Sequence, residues 1–298
     1  MKLKGGVLTA SIFLTLGFVW GSSFILMKKS MLAFTWDEVS ALRLILSSAC
    51  LLPVFFINRK LPDRRTLGWL VVTGLLGNGI PAFLFTLAET VIDSGTAGVL
   101  NSLSPLFAFL TGIWIFGTQF SVRKMTGVMI GLAGAVLLIL ANGESSFDLS
   151  GKTAHLLIVV AATFCYGLNG NIIKQKLSAN DPVWLSAWAM LFCGIPSLVY
   201  LPFTGAWEAL SAHPEGFTSL IYVVILAAIG TAFALVIFNK LIMMTEAVFA
   251  SAVAYLVPVV ALFWAWADHE SIEATDLLGL FVIFGGLYLI GDYKKMGT

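Results

Sequence analysis

FVWGSSFILMKK (residues 18–29) and FCYGLNGNIIKQK (residues 164–176) lie in apolar runs 146 residues apart, and both carry an aromatic residue, a glycine, polar side chains and then lysines. The offset lays Trp20-Gly21 on Tyr166-Gly167, Lys28 on Lys174, and Ser40-Ala41 on Ser186-Ala187. A helix wholly in hydrocarbon has no use for hydroxyls and amides, because each needs a partner away from water. Two such stretches point to a duplicated unit with a polar interior.

The solvent follows from composition. Hydrophobic residues make up 59% of the 298, charged residues 11%, and mean hydropathy is +0.95; soluble domains carry about 25% charge. A spanning helix needs about 20 mostly apolar residues. Ten segments qualify, at roughly 7–26, 37–57, 67–88, 94–116, 125–141, 153–173, 182–204, 218–239, 247–267 and 275–291. The expected fold class is an all-α integral membrane protein with ten transmembrane helices. The first run, although preceded by Lys2 and Lys4, exceeds the ~7–15 residues of a signal core and has no A-x-A-like site, so it is read as a helix. Cys50, Cys165 and Cys193 fall inside spans, where packing is their expected role rather than a disulfide framework or metal cluster.

Basic residues set the expected orientation. With both termini in the cytoplasm, thirteen of the seventeen Lys and Arg residues lie inside, as the positive-inside rule favours. Lys28, Lys29 and Lys152 lie outside, and Arg43 is within a span. The net charge of +1 carries no information about partners.

The repeat extends along the chain. An offset of 153 lays Gly77 on Gly230, Phe85 on Phe238 and Pro105 on Pro258; one of 152 lays Gly127 on Gly279 and Ala133-Gly134 on Gly285-Gly286. Five spans per half is an odd number, so the halves are inverted in the membrane. Inverted repeats related by an axis in the membrane plane recur in transporters. The expected units are residues 1–141, an external linker at 142–152, and residues 153–298 with a short cytoplasmic tail.

Candidate site residues come from the polar groups at mid-span. Asn78, in LLGNGIPAF, is flanked by Gly77, Gly79 and Pro81, and its repeat mate is Thr231. Asn101 stands one turn before Pro105. Trp20 and Tyr166, beside Ser22, Ser23 and Asn169, offer an aromatic wall next to hydrogen-bonding groups, a mix suited to a small amphiphilic ligand. Each position has a structural alternative: interhelical hydrogen bonding for the amides, an interfacial belt for Trp20. Pro105 and Pro258, in small-residue helix faces, mark expected kinks or hinges. Arg43 lies about two turns from the outer surface; snorkelling accounts for it, and contact with an anionic substrate group is the functional alternative. No Asp or Glu lies mid-span, and Glu89 and Glu246 are read as loop residues.

These features together resemble the EamA family of the drug/metabolite transporter superfamily: W-G-S-S-F in the first helix, an Arg early in the second, SGTAGVLNSLSPLFAFL in the fourth and EAVFASAVAYLVPVVALFWAWA in the ninth. The resemblance covers about residues 7–291. It implies ten helices in a bacterial cytoplasmic (inner) membrane, both termini inside, and a central cavity worked by alternating access. By location, that cavity would take Trp20, Ser22, Asn78, Asn101, Tyr166, Asn169, Thr231 and Tyr255. Expected partners are a small-molecule substrate and the lipid bilayer, with no cofactor, no metal and no nucleic acid, in a monomer with a dimer as the alternative. The function expected is secondary transport of small amphiphilic metabolites, amino acids foremost and outward. The alternatives are a multidrug or toxic-compound exporter and a non-transport receptor or scaffold. The Glu that related four-helix multidrug carriers use in their first helix is missing, which disfavours a cationic-drug antiporter. No H-E-x-x-H motif or histidine–acid pairing within a span supports an enzyme.

Overall fold

The computed structural model describes residues 2–92, 94–141, 153–260 and 274–291. Every regular element among them is helical. Among the described residues six helices are long and apolar enough to cross a membrane: α1 (Gly6–Ser30 of a helix starting at Lys2), α2 (Trp36–Ile57), α3 (Arg64–Glu89), and, after three elements given below, α7 (Thr153–Leu177), α8 (Pro182–Phe203) and α10 (Gly216–Met244). The fourth expected span is two pieces, α4 (Ser94–Asn101) and α5 (Ser104–Phe116), followed by α6 (Val122–Ala141). A short helix, α9 (Ala206–Ala212), was not foreseen; α11 (Ala247–Val260) and α12 (Ala274–Ile290) follow. Residues 142–152, 261–273 and 292–298, which include the expected linker, the rest of the ninth span and the tail, lie outside the described residues. Large apolar side chains point outward around the bundle, among them Phe56, Trp114, Phe203 and Phe281, as a lipid-facing surface requires.

Local chemistry sets the helix ends. Asp63 caps α3 by accepting from the Thr66 N–H at 2.8 Å, and Asp181 caps α8 by accepting from the Val183 and Trp184 N–H groups, with Pro182 in the first turn. The Thr35 N–H donates to Glu38 Oε2 at 2.9 Å, half of a capping box at the start of α2. Gly117, with φ of 65°, closes α5 in the left-handed region, where glycine alone escapes the Cβ penalty.

The prolines act on the carbonyls four residues before them, with which their rings clash. For Pro105 that carbonyl is Asn101 O, the last residue of α4, and the Ser104 hydroxyl donates to it at 2.7 Å. For Pro258 it is Ala254 O, in a 3₁₀ turn (Ala252–Tyr255) within α11, and the Ser102 hydroxyl donates to it at 3.4 Å. Both interruptions thus lie a turn ahead of the prolines, and one serine from the first half serves each freed carbonyl.

Two further helices widen without proline. α3 and α10 contain π-helical turns at Leu75–Gly79 and Leu226–Phe233, which the 153-residue offset superimposes, and α7 ends in a third at Ile173–Leu177. Such turns are rare and cluster at functional sites. Here they surround Asn78 and Thr231.

Helices α6 and α12 pair at backbone distance. A Cβ at Gly286 would lie 2.4 Å from Gly131 N, and one at Gly127 would lie 2.8 Å from Gly286 O. Small residues permit this approach in membranes. Elsewhere the bundle packs in two levels. Ile12 and Leu16 of α1, Ile173 and Leu177 of α7, and Leu241 of α10 share one cluster; Met27, Val159, Ala162, Val223 and Leu226 of the same helices share another. Between the two levels, midway along each helix, lies the polar site.

Candidate functional site: a cavity at mid-bundle

A cavity of about 110 Å³ lies between α1, α2, α3, α7 and α10, with residues of the α4–α5 and α11 interruptions also lining it. That is several times the ~10–15 Å³ needed to hold one water, room for a small solute rather than a lipid. Of the eight cavity residues expected from sequence, six line it: Trp20, Asn78, Asn101, Tyr166, Asn169 and Thr231. Arg43 lines it too.

Two of the eight stand elsewhere. Ser22 is not among the lining residues and Ser23 is, because side chains three or four apart share a helix face and Trp20, Ser23, Phe24 and Met27 keep that spacing. Tyr255 is fully buried against Gly131 of α6, and its hydroxyl donates to Val128 O at 2.8 Å. Its phenol is spent on holding α11 to α6, away from the cavity.

Arg43 does not snorkel. Its Nε donates to Thr231 Oγ1 at 2.7 Å, and that hydroxyl in turn donates to Leu226 O at 3.0 Å across the π turn. Nη1 approaches Met27 Sδ at 4.0 Å, and Nη2 makes no hydrogen bond to any described residue. A guanidinium fork with spare donors facing a cavity suits a carboxylate. Tyr166 and Glu89 feel the same charge. Glu89, expected in a loop, is instead the buried last residue of α3.

The aromatic wall is built from both halves. Tyr166 stacks on Phe85 with centroids 5.8 Å apart, Phe24 meets Phe85 edge-on at 6.0 Å, and Trp20 meets Phe238 edge-on at 4.9 Å. Trp20 Nε1 donates to Gly230 O at 3.2 Å, fastening α1 to the π turn of α10. Sequence reasoning missed Phe24, Met27, Phe85 and Phe238. The helical spacing from Trp20 was the available signal for the first two.

The amides are the unsettled part. Asn101 Oδ1 accepts from the Ser104 hydroxyl at 3.3 Å. Asn78 Nδ2 and Asn169 Oδ1 are buried and have no hydrogen-bond partner. An unmet buried polar group costs about 1–3 kcal/mol, so two in one cavity indicate a site completed by ligand or water.

Beyond Tyr166, α7 packs closely on α5. Gly167 packs on the Phe107–Ala108 backbone, and Asn171 Nδ2 donates to Ala108 O at 2.7 Å and Thr111 Oγ1 at 2.9 Å. Beside Asn171 a wider recess is lined by Arg123, Lys124 and Lys174. Its cations serve the scaffold: Lys174 and Arg123 donate to carbonyls ending α10 and α12, and Lys124 pairs with Glu246.

The sequence signature of the EamA-like transporter family matches residues 7–140 and again 153–291. The chain belongs to the EamA-like transporter family. It is a multi-pass membrane protein of this transporter family. Among relatives, it is 26% identical over 272 residues to a Bacillus subtilis protein described as "Uncharacterized transporter YdfC", covering 90% of this chain and 86% of that one. It is 26% identical over 300 residues to an Escherichia coli protein described as "Probable amino-acid metabolite efflux pump", covering 97% and 95%. A crystal structure with 18% identity superposes with a TM-score of 0.73 over 94% of this chain and 95% of that one, a likeness of fold. Both EamA matches contribute to the cavity, Trp20, Arg43 and Asn78 from the first and Tyr166, Asn169 and Thr231 from the second.

Proposed function

We propose that this protein is a secondary transporter that moves small amphiphilic metabolites, amino acids foremost and outward, across a bacterial cytoplasmic membrane by alternating access. The observation that carries the reading is the mid-bundle cavity, where a guanidinium with spare donors stands beside unmet amides and an aromatic wall. Such a mix matches a ligand with a polar and an apolar part. Trp20, Asn78, Asn101, Tyr166, Asn169 and Thr231 bind it, with Arg43 as the anion contact. Ten helices as two inverted five-helix repeats, residues 1–141 and 153–298, with both termini in the cytoplasm, fit the doubled family match and the superimposed π turns. The proline interruptions at Pro105 and Pro258 serve as hinges on which the halves rock around the fixed site. The positive Arg43 argues against a multidrug carrier for organic cations, which would meet like charge.

Flux of a labelled metabolite panel into proteoliposomes, against empty liposomes, tests the reading. Saturable uptake accelerated by unlabelled solute on the opposite side is the expected result. Folded protein that moves no class of solute would sink it.

A further inference from the structure

The two orphaned amides are opposite in kind. Asn78, on α3, is 8% exposed and leaves a donor, Nδ2, unmet; Asn169, on α7, is 3% exposed and leaves an acceptor, Oδ1, unmet. Neither side chain hydrogen-bonds to any described residue. They are neighbours through Gly77: a Cβ there would stand 2.3 Å from Asn169 Nδ2, so that amide lies against the residue just before Asn78. Both residues line the cavity, and neither unmet atom is answered by the other. The third open group is the Arg43 fork. A carboxylate takes donors, which Arg43 and Asn78 Nδ2 supply; an ammonium takes acceptors, which Asn169 Oδ1 supplies.

We propose that the cavity reads the two charged ends of a zwitterion separately, with the carboxylate at Arg43 and Asn78 and the ammonium at Asn169, and so selects α-amino acids with both groups free. The apolar side chain lies against Phe24, Phe85 and Tyr166. This rests on the transporter reading and narrows it. An organic anion leaves Asn169 Oδ1 unmet; an amine leaves Arg43 uncompensated. A site that hydrogen-bonds a ligand group rejects analogues lacking it far more strongly than a greasy pocket rejects a size change.

Counterflow of labelled L-leucine in proteoliposomes, with N-acetyl-L-leucine and 3-methylbutylamine as competitors, tests the assignment. Each competitor should be at least tenfold weaker than L-leucine. Asn169→Leu should lose the discrimination against N-acetyl-L-leucine and keep that against the amine. The isosteric Asn169→Asp should bind 3-methylbutylamine at least fivefold better, which a variant with a collapsed fold would not do. Equal competition by all three compounds, or a uniform loss for all three in Asn169→Leu, would overturn the proposal and leave the amides to water. Thermal unfolding with each compound reads binding without flux. Exchange of organic anions or amines but not L-leucine would leave the carrier reading intact and end this one; neither exchange nor stabilisation by any class would end both.

Discussion

Two helix pairs in this protein, α6 with α12 and α3 with α7, meet through glycine, and they use it for different ends. In the first, Gly127, Gly131 and Gly286 bring backbone onto backbone, with the would-be Cβ of Gly286 at 2.4 Å from Gly131 N. In the second, Gly77 makes room for a side-chain amide, Asn169, whose hydrogen-bonding groups are not consumed by the contact. The first pair is glue, and the second borders the proposed site. A small residue therefore carries no function by itself; what stands opposite it decides.

Four substitutions would break or sharpen this contrast. The largest effect belongs to Gly286→Val, whose branch has only backbone to displace: roughly 3 kcal/mol or outright loss of folded protein, read as thermal unfolding in detergent. Arg43→Met comes next, with its larger effect on transport. Losing a charge-assisted bond to the substrate carboxylate raises KM about ten- to hundredfold, and unfolding shifts as well, because the Thr231 hydrogen bond and the charge felt by the buried Glu89 are both lost. Gly77→Ala crowds the Asn169 amide, which can swing aside; about a threefold to tenfold loss of affinity in counterflow, with stability within about 1 kcal/mol, is expected.

Asp63, outside the spans, has the smallest effect. The Thr66 N–H it accepts holds its carboxyl below the usual carboxylate range. A depressed folded pKa contributes stability above the unfolded value, near 3.8, that disappears as pH falls through the lower folded value. Asp63→Asn should therefore flatten the acid limb of the unfolding profile below about pH 4 and, lacking the charge, unfold slightly more easily than the parent at neutral pH.

Much of this contrast was readable from the chain, unevenly. Asn78, Asn169 and Thr231 stand out because amides and a hydroxyl are costly in mid-span, and all three line the cavity. Tyr255 has the same look in sequence, but its hydroxyl reaches a carbonyl on α6, 127 residues away in the chain, a partner no local pattern reveals. For Arg43 the chain left two readings open, snorkelling and an anion contact, for a related reason: its acceptor, Thr231, belongs to the other half. The helix breaks near Pro105 and Pro258 were expected and their placement was not. They follow the i−4 carbonyl and the serines that satisfy it. The π turns left no mark in hydropathy, since one extra residue in a turn hardly alters an apolar average.

The most direct test of the central claim, that one cavity shared by both halves is the transport site, is substrate protection of single cysteines. Cysteine at Ser104 or at Ser251, which line the cavity from opposite halves, would be placed in a chain whose Cys50, Cys165 and Cys193 are replaced. The rate of thiol modification would then be measured with and without saturating L-leucine. The account predicts that L-leucine slows modification at both positions at least fivefold. Rates unchanged at both, in protein that exchanges L-leucine, would place the transport path elsewhere.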